Sequence, residues 1–140
     1  MSTLQFTIPS RVEAIEPLME KLGPVISRSL PADEDAQVDL ALREALANAV
    51  IHGNRLDGRK KVHVSLRSRS SRATRQGCVD LIVRDEGPGF NPDRLANPLA
   101  DENLLSGHGR GVYLMKAMMD EVRFAKGGNQ VHMRKVGPVP

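Results

Sequence analysis

Apolar residues recur at two spacings along this chain, and the change from one spacing to the other outlines its elements. Leu4, Phe6 and Ile8 alternate with polar neighbours, which is the period of a half-buried strand. Val12, Ile15, Leu18, Met19, Leu22 and Val25 follow at helical spacing, with Ser10 at the N-cap position and Glu13 placed to complete a capping box. This helix is expected to end near Leu30, before Pro31, with Gly23-Pro24 as a point of kinking or splitting. Asp33 is expected to cap a second helix, with Glu34 and Asp35 in its first turn. Within the run from Asp33 to Asn54, a rotation of about 100° per residue gathers Val38, Leu42, Ala45, Leu46 and Ala49 on one core-facing stripe. Gly53 with Asn54 supplies the stop of a left-handed C-cap.

Val62, Val64 and Leu66 alternate with Lys61, His63 and Ser65 in a second strand. An Arg/Ser connector closed by Gly77 leads to the more apolar strand Cys78 to Asp85, its expected antiparallel neighbour. From Glu86 to Gly107, Pro88, Pro92 and Pro98 with Asn91, Asn97 and Asn103 erase the pattern, and so long a structureless stretch reads as a functional lid. Val112, Leu114, Met115, Met118, Met119 and Val122 resume helical spacing. Val122 and Phe124 then alternate, Gly127-Gly128 turns the chain, and Val131, Met133 and Val136 mark the returning strand. The order β-α-α-β-β-lid-α-β-β predicts an α+β two-layer sandwich, a largely antiparallel sheet of about five strands covered on one face by about three helices.

A chain of 140 residues with 40% hydrophobic and 26% charged residues has the size of a single domain, residues 1–140, with its own core. It shows no run of 18 apolar residues, no charged-then-apolar leader and no lipidation signal, so a soluble, cytoplasmic protein without membrane contact is expected. The single Cys78 excludes an internal disulfide and a thiolate cluster, and is expected to be a small core residue. His52, His63, His108 and His132 are too scattered for a metal site by spacing, although His63 and His132 could meet in space; no bound zinc is expected. Net charge is +3 with a pI near 9.4, and cations bunch between Arg67 and Arg75. Without aromatic residues interleaved to stack bases, that run reads as a solvated connector and not as a direct nucleic-acid contact.

Three places carry candidate chemistry. Glu44 and Asn48 lie four residues apart, off the apolar stripe, so a carboxylate and a carboxamide are offered side by side. Asp85-Glu86-Gly87-Pro88-Gly89-Phe90 puts a carboxylate at a strand end beside backbone lacking Cβ atoms, where a flat ligand can come close and donate an exocyclic amine to Asp85. Gly107-His108-Gly109-Arg110-Gly111 opens an apolar helix and offers free N–H groups to an anion, with His108 and Arg110 as phosphate contacts. Singly, each has an ordinary reading: a solvated helix flank, a strand entering a loop, a hinge. It is not a P-loop, since no Gly-Lys-Ser/Thr occurs, and it is not a dinucleotide fingerprint, since no strand precedes it.

As a set, the three resemble the GHKL, or Bergerat-fold, ATPases, in which an N-box helix and two glycine boxes enclose ATP beneath a lid. Within that superfamily the chain is similar to the small anti-sigma-factor serine/threonine kinases of the RsbW/SpoIIAB type. Arg43 to Asn54, Leu114 to Val122 and Gly127 to Lys135 carry that likeness, which runs from about Leu4 to Val136. The resemblance implies ATP and Mg²⁺ as cofactors, Glu44 as general base towards a seryl or threonyl hydroxyl, and Asn48 helping to hold Mg²⁺ on the phosphates. It implies Asp85 on the adenine amino group, Gly87 and Gly89 along the adenine, and Gly107, Gly109 and Gly111 at the phosphates. The partners it implies are a STAS-domain anti-sigma-factor antagonist as substrate, an RNA polymerase sigma factor, and a second copy of the chain. Arg110 departs from the apolar residue that close relatives often carry, and the connector is unusually arginine-rich. Two alternatives stand beside the kinase: a nucleotide-binding interaction module without phosphotransfer, and the detached ATPase domain of a histidine kinase. The second is ranked last, because no dimerising helix pair with a phosphoacceptor His is present.

Overall fold

Alternation of buried and exposed residues runs through every long strand, and hydrogen-bond register turns it into one apolar floor. In the computed structural model, residues 2–88 and 108–140 are described, apart from the side chains of 108–110 and Lys126. Strands β1 (Ser2–Pro9), β2 (Lys61–Ser71), β3 (Gln76–Arg84), β4 (Glu121–Ala125) and β5 (Gln130–Pro138) pair antiparallel in the order β1-β2-β3-β5-β4. The register aligns Leu4, Leu66, Leu81, Met133 and Val122 across the whole sheet, and beside them Phe6, Val64, Val83, Val131 and Phe124. Helices α1 (Ile15–Ser29), α2 (Ala32–Ala47) and α3 (His108–Met118) cover that floor, with Leu22, Ile26, Leu42, Leu46 and Met115 fully buried against it. The element order and the α+β sandwich are as expected; the lid expected over residues 86–107 lies almost wholly outside the described residues.

Several local expectations are corrected. Ser10 does not cap the first helix, which begins as a 3₁₀ turn at Val12–Ala14 without a side-chain cap. Its buried hydroxyl donates to Lys60 O at 2.8 Å and accepts from Asn54 Nδ2 at 2.7 Å, so burial between two partners outbids the cap. Pro24 does not split α1: the residue is exposed, and the carbonyl left without an N–H partner belongs to exposed Glu20. The second helix starts two residues early, with Pro31 at the N-cap and Asp33 in the first turn.

The end of α2 differs most. Instead of stopping at a left-handed glycine, the helix widens into a π turn at Asn48–Gly53. The left-handed residues are Arg55 (φ 53°) and Leu56 (φ 60°). A π turn inserts one residue per turn and re-aims the side chains it carries.

Parity on β3 also corrects Cys78. Val79, Leu81 and Val83 face the helices, so Cys78 faces out, half-buried, with its thiol 3.7 Å from Asp80 Oδ2. Burial and the Asp80 charge both push that thiol above its ordinary pKa. Burial alone would raise Asp80 as well, but bonds from Arg134 and His132 outweigh it and hold the carboxyl below its usual range. His132 is committed there, and His63 faces Thr7 and Glu86, so the two histidines do not meet. The Arg67–Arg75 run is only partly a loop, because β2 continues to Ser71 and β3 begins at Gln76.

A Cβ built on Gly77 would lie 1.9 Å from Ser29 O, where β3 crosses the end of α1. Gly77→Ala is therefore expected to cost about 2 kcal/mol or more, seen as a lower urea midpoint with an unchanged slope. Among the described residues, no helix is long and apolar enough to cross a membrane.

Candidate nucleotide-binding site

The end of α2 with its π turn, the end of β3, Met115 of α3 and the β4–β5 turn converge on one cleft of about 450 Å³, part of it open to solvent. Ala45, Ala49, Val83, Met115, Phe124 and Val131 give it apolar walls, and Asn48, His52, Asp85, Asn129 and Gln130 supply polar groups. That mixture suits a flat heterocycle read along its polar edge.

Asp85 is buried and held on three sides. Its backbone N–H donates to Asn129 O at 2.9 Å, and its Oδ1 accepts from Gly87 N at 2.8 Å. Burial raises its pKa, opposed by the Gly87 N–H and by the charge of Lys60. Oδ2 lies against the backbone of Gly53, where a Cβ would stand 2.2 Å away. Gly87 is pressed on the same residue, its missing Cβ 1.9 Å from Gly53 O. The glycine that the sequence suggested as a helix stop is thus required for contact with the carboxylate. Gly53→Ala is expected to displace Asp85 and to weaken nucleotide binding by about a hundredfold or more, measured by calorimetry.

Asn48 stands at the other end, half-buried in the cleft wall. Gly111, in the first turns of α3, packs on it so closely that a Cβ would lie 2.8 Å from Asn48 Nδ2. The helix carboxamide and the glycine-rich start of α3, 63 residues apart in the sequence, therefore meet at one point. Gly109 is in the first turn of α3. Glu44 is half-buried one turn before Asn48 and does not line the cleft. Gly87 borders an adjoining open groove with Gly53, Lys60 and Glu86. Gly89 and Gly107, and the side chains of His108 and Arg110, lie outside the described residues.

Asn129 was missed as a site residue. Its Oδ1 is the one buried side-chain polar atom without a partner among the described residues, and it lines the cleft beside Asp85. An acceptor of this kind takes an N–H or O–H from a ligand or a water. His52 was missed too, although it lies one turn beyond Asn48 on the same helix face, a continuation of the Glu44/Asn48 spacing. Among the described residues, no group of three His, Cys, Asp or Glu side chains could hold a metal ion. A cation here would be held by ligand oxygens with help from Asn48, which fits Mg²⁺ carried by phosphates.

Residues 8–135 match the model of the histidine kinase-like ATPase domain, a span that includes the cleft lining, strands β2 to β4, most of β5 and all three helices. The chain belongs to that family. Among its relatives, the serine-protein kinase RsbW of Bacillus subtilis (strain 168) is 32% identical over 127 residues, covering 86% of this chain and 76% of the relative. The anti-sigma F factor of Priestia megaterium is 28% identical over 124 residues, covering 87% and 72%. That of Bacillus thuringiensis (strain Al Hakam) is 27% identical over 139 residues, covering 96% and 82%. A histidine kinase-like ATPase domain implies ATP as ligand.

Proposed function

We propose that this chain is an ATP-dependent serine/threonine protein kinase that also acts as an anti-sigma factor. It phosphorylates a STAS-domain antagonist and sequesters an RNA polymerase sigma factor. The observation that carries the reading is the cleft that Asn48 and Asp85 both line, with Gly111 of α3 packed against Asn48. The names of its relatives, a serine-protein kinase and anti-sigma F factors, support the activity. The whole chain, residues 1–140, serves as one ATP-binding domain, works in the cytoplasm and pairs with a second copy.

In this reading Asp85 and Asn129 accept the N–H groups of the adenine edge, with Gly87 and Gly89 alongside the ring. Gly107, Gly109 and Gly111 present backbone N–H groups to the phosphates at a helix N-terminus, with His108 and Arg110 beside them. Asn48 would help to hold Mg²⁺, which when bound would neutralise charge on the transferring group. Glu44 orients the hydroxyl of the substrate serine or threonine. Its oxygen forms the new bond to the γ-phosphorus as the bond to the β–γ bridging oxygen breaks; ADP leaves, and the hydroxyl proton passes to Glu44.

Incubation with γ-labelled Mg·ATP and STAS-domain proteins encoded near this chain tests the proposal. Label on a serine or threonine of one of them is expected. Tight ATP binding without transfer to any candidate would leave a nucleotide-dependent sequestering module in its place.

A further inference from the structure

Asn54 caps the π turn at the end of the Arg43–Asn54 run and is 1% exposed, and no role at the site has been given to it above. Its side chain reaches three segments of the chain. Nδ2 donates to Ser10 Oγ at 2.7 Å, at the end of β1, and to Lys61 O at 2.9 Å, at the start of β2. Oδ1 accepts from the Glu86 backbone N–H at 2.7 Å, in the turn that follows β3. The orientation of the amide is fixed by its partners: a flip would set an NH₂ against an N–H and an oxygen against a carbonyl. Ser10, fully buried, passes the chain on to Lys60 O at 2.8 Å.

The Glu86 N–H belongs to the peptide that begins at the Asp85 carbonyl. Both peptides flanking Asp85 are therefore pinned, the preceding one by Asn129 O in the cleft wall and the following one by Asn54, which lies outside the cleft lining. The Glu86 carboxylate straddles the same turn from the other side, accepting from Lys61 N at 2.8 Å and facing His63 Nε2 at 3.1 Å. Gly53, which makes room for the Asp85 carboxylate, is the residue before Asn54, so one dipeptide both admits the carboxylate and fixes the turn that carries it.

We infer that Asn54 is a positioning residue for base recognition, holding the Asp85–Gly87 turn so that the carboxylate meets the edge of the bound base. This rests on the nucleotide reading above. Asparagine is suited to the task because its one side chain supplies two donors and an acceptor at once. Aspartate keeps the acceptor for Glu86 N–H but sets an oxygen against the Lys61 carbonyl, which pulls the loop from the turn.

The test compares wild type, Asn54→Asp and Glu86→Ala by calorimetry with Mg·ATP, Mg·GTP and Mg·pyrophosphate, and checks each for cooperative thermal unfolding. Asn54→Asp is expected to lose about tenfold or more in ATP affinity, to keep its pyrophosphate affinity, and so to narrow its preference for ATP over GTP. Glu86→Ala, altered at an exposed side chain, is expected to shift the same ratio in the same direction by less. If folded Asn54→Asp keeps the wild-type ATP/GTP ratio, Asn54 has no positioning role. Should Asn54→Asp fail to fold, Asn54→Ser, which also removes the acceptor for the Glu86 N–H, is measured in its place, and an unchanged ratio there overturns the inference. Absence of ATP binding by the wild type would instead overturn the nucleotide reading itself.

Discussion

Asp85→Asn is expected to weaken Mg·ATP by about tenfold to a hundredfold while leaving inorganic phosphate unchanged. The substitution preserves size and leaves an oxygen to accept from Gly87 N–H, so the turn stays intact. What changes is the group left for the ligand: an NH₂ now faces the donor edge of adenine, and the charge-assisted bond is gone. Stability should move the other way. Burial raises the Asp85 pKa, so the fold prefers the neutral form, and the advantage of that form is present at low pH and lost as pH rises through the folded value. Above that pH the wild type carries the cost of a buried charge and the asparagine variant does not. At neutral pH the variant is expected to unfold no earlier than wild type. Equal ATP affinity of the two proteins by calorimetry would show that the base is read elsewhere.

Glu44→Ala is expected to keep Mg·ATP affinity within a few-fold and to lower phosphoryl transfer by at least about a hundredfold, the usual worth of a positioned general base. The geometry supports the separation of effects. Glu44 sits one turn before Asn48 but outside the cleft wall, so its loss leaves the groups around the base and phosphates in place. Transfer measured with saturating ATP and a purified antagonist would decide the point. A variant that phosphorylates at the wild-type rate removes Glu44 from the chemistry.

The layers of this protein were legible because strand alternation and helical stripes are read locally. Val62, Val64 and Leu66 against Lys61 and His63, or Leu42, Ala45, Leu46 and Ala49 along α2, state their buried faces without knowledge of any partner. Asn48 and Asp85 could be singled out in the sequence because each lies in a motif with its own spacing, and both line the cleft. The misreadings concern residues whose neighbours are remote in sequence. Ser10 looks like a cap until Asn54 and Lys60 claim its hydroxyl. Gly53 looks like a helix stop until β3 delivers Asp85 against it. Asn129 follows two turn glycines and reads as part of the hairpin, yet antiparallel pairing of β3 with β5 sets it beside Asp85. Competition among distant partners for one polar group leaves no periodic trace in the chain.

The most direct measurement is an amide NMR titration of the isotopically labelled chain with Mg·ATP. Shifts concentrated at Asn48, Gly53, Asp85, Gly87, Gly111 and Asn129 are the expected result, since these residues line the cleft or pack on those that do. Shifts confined to the open face of the sheet, around Arg67, Asp80 and Arg134, would contradict a nucleotide site between α2 and the end of β3.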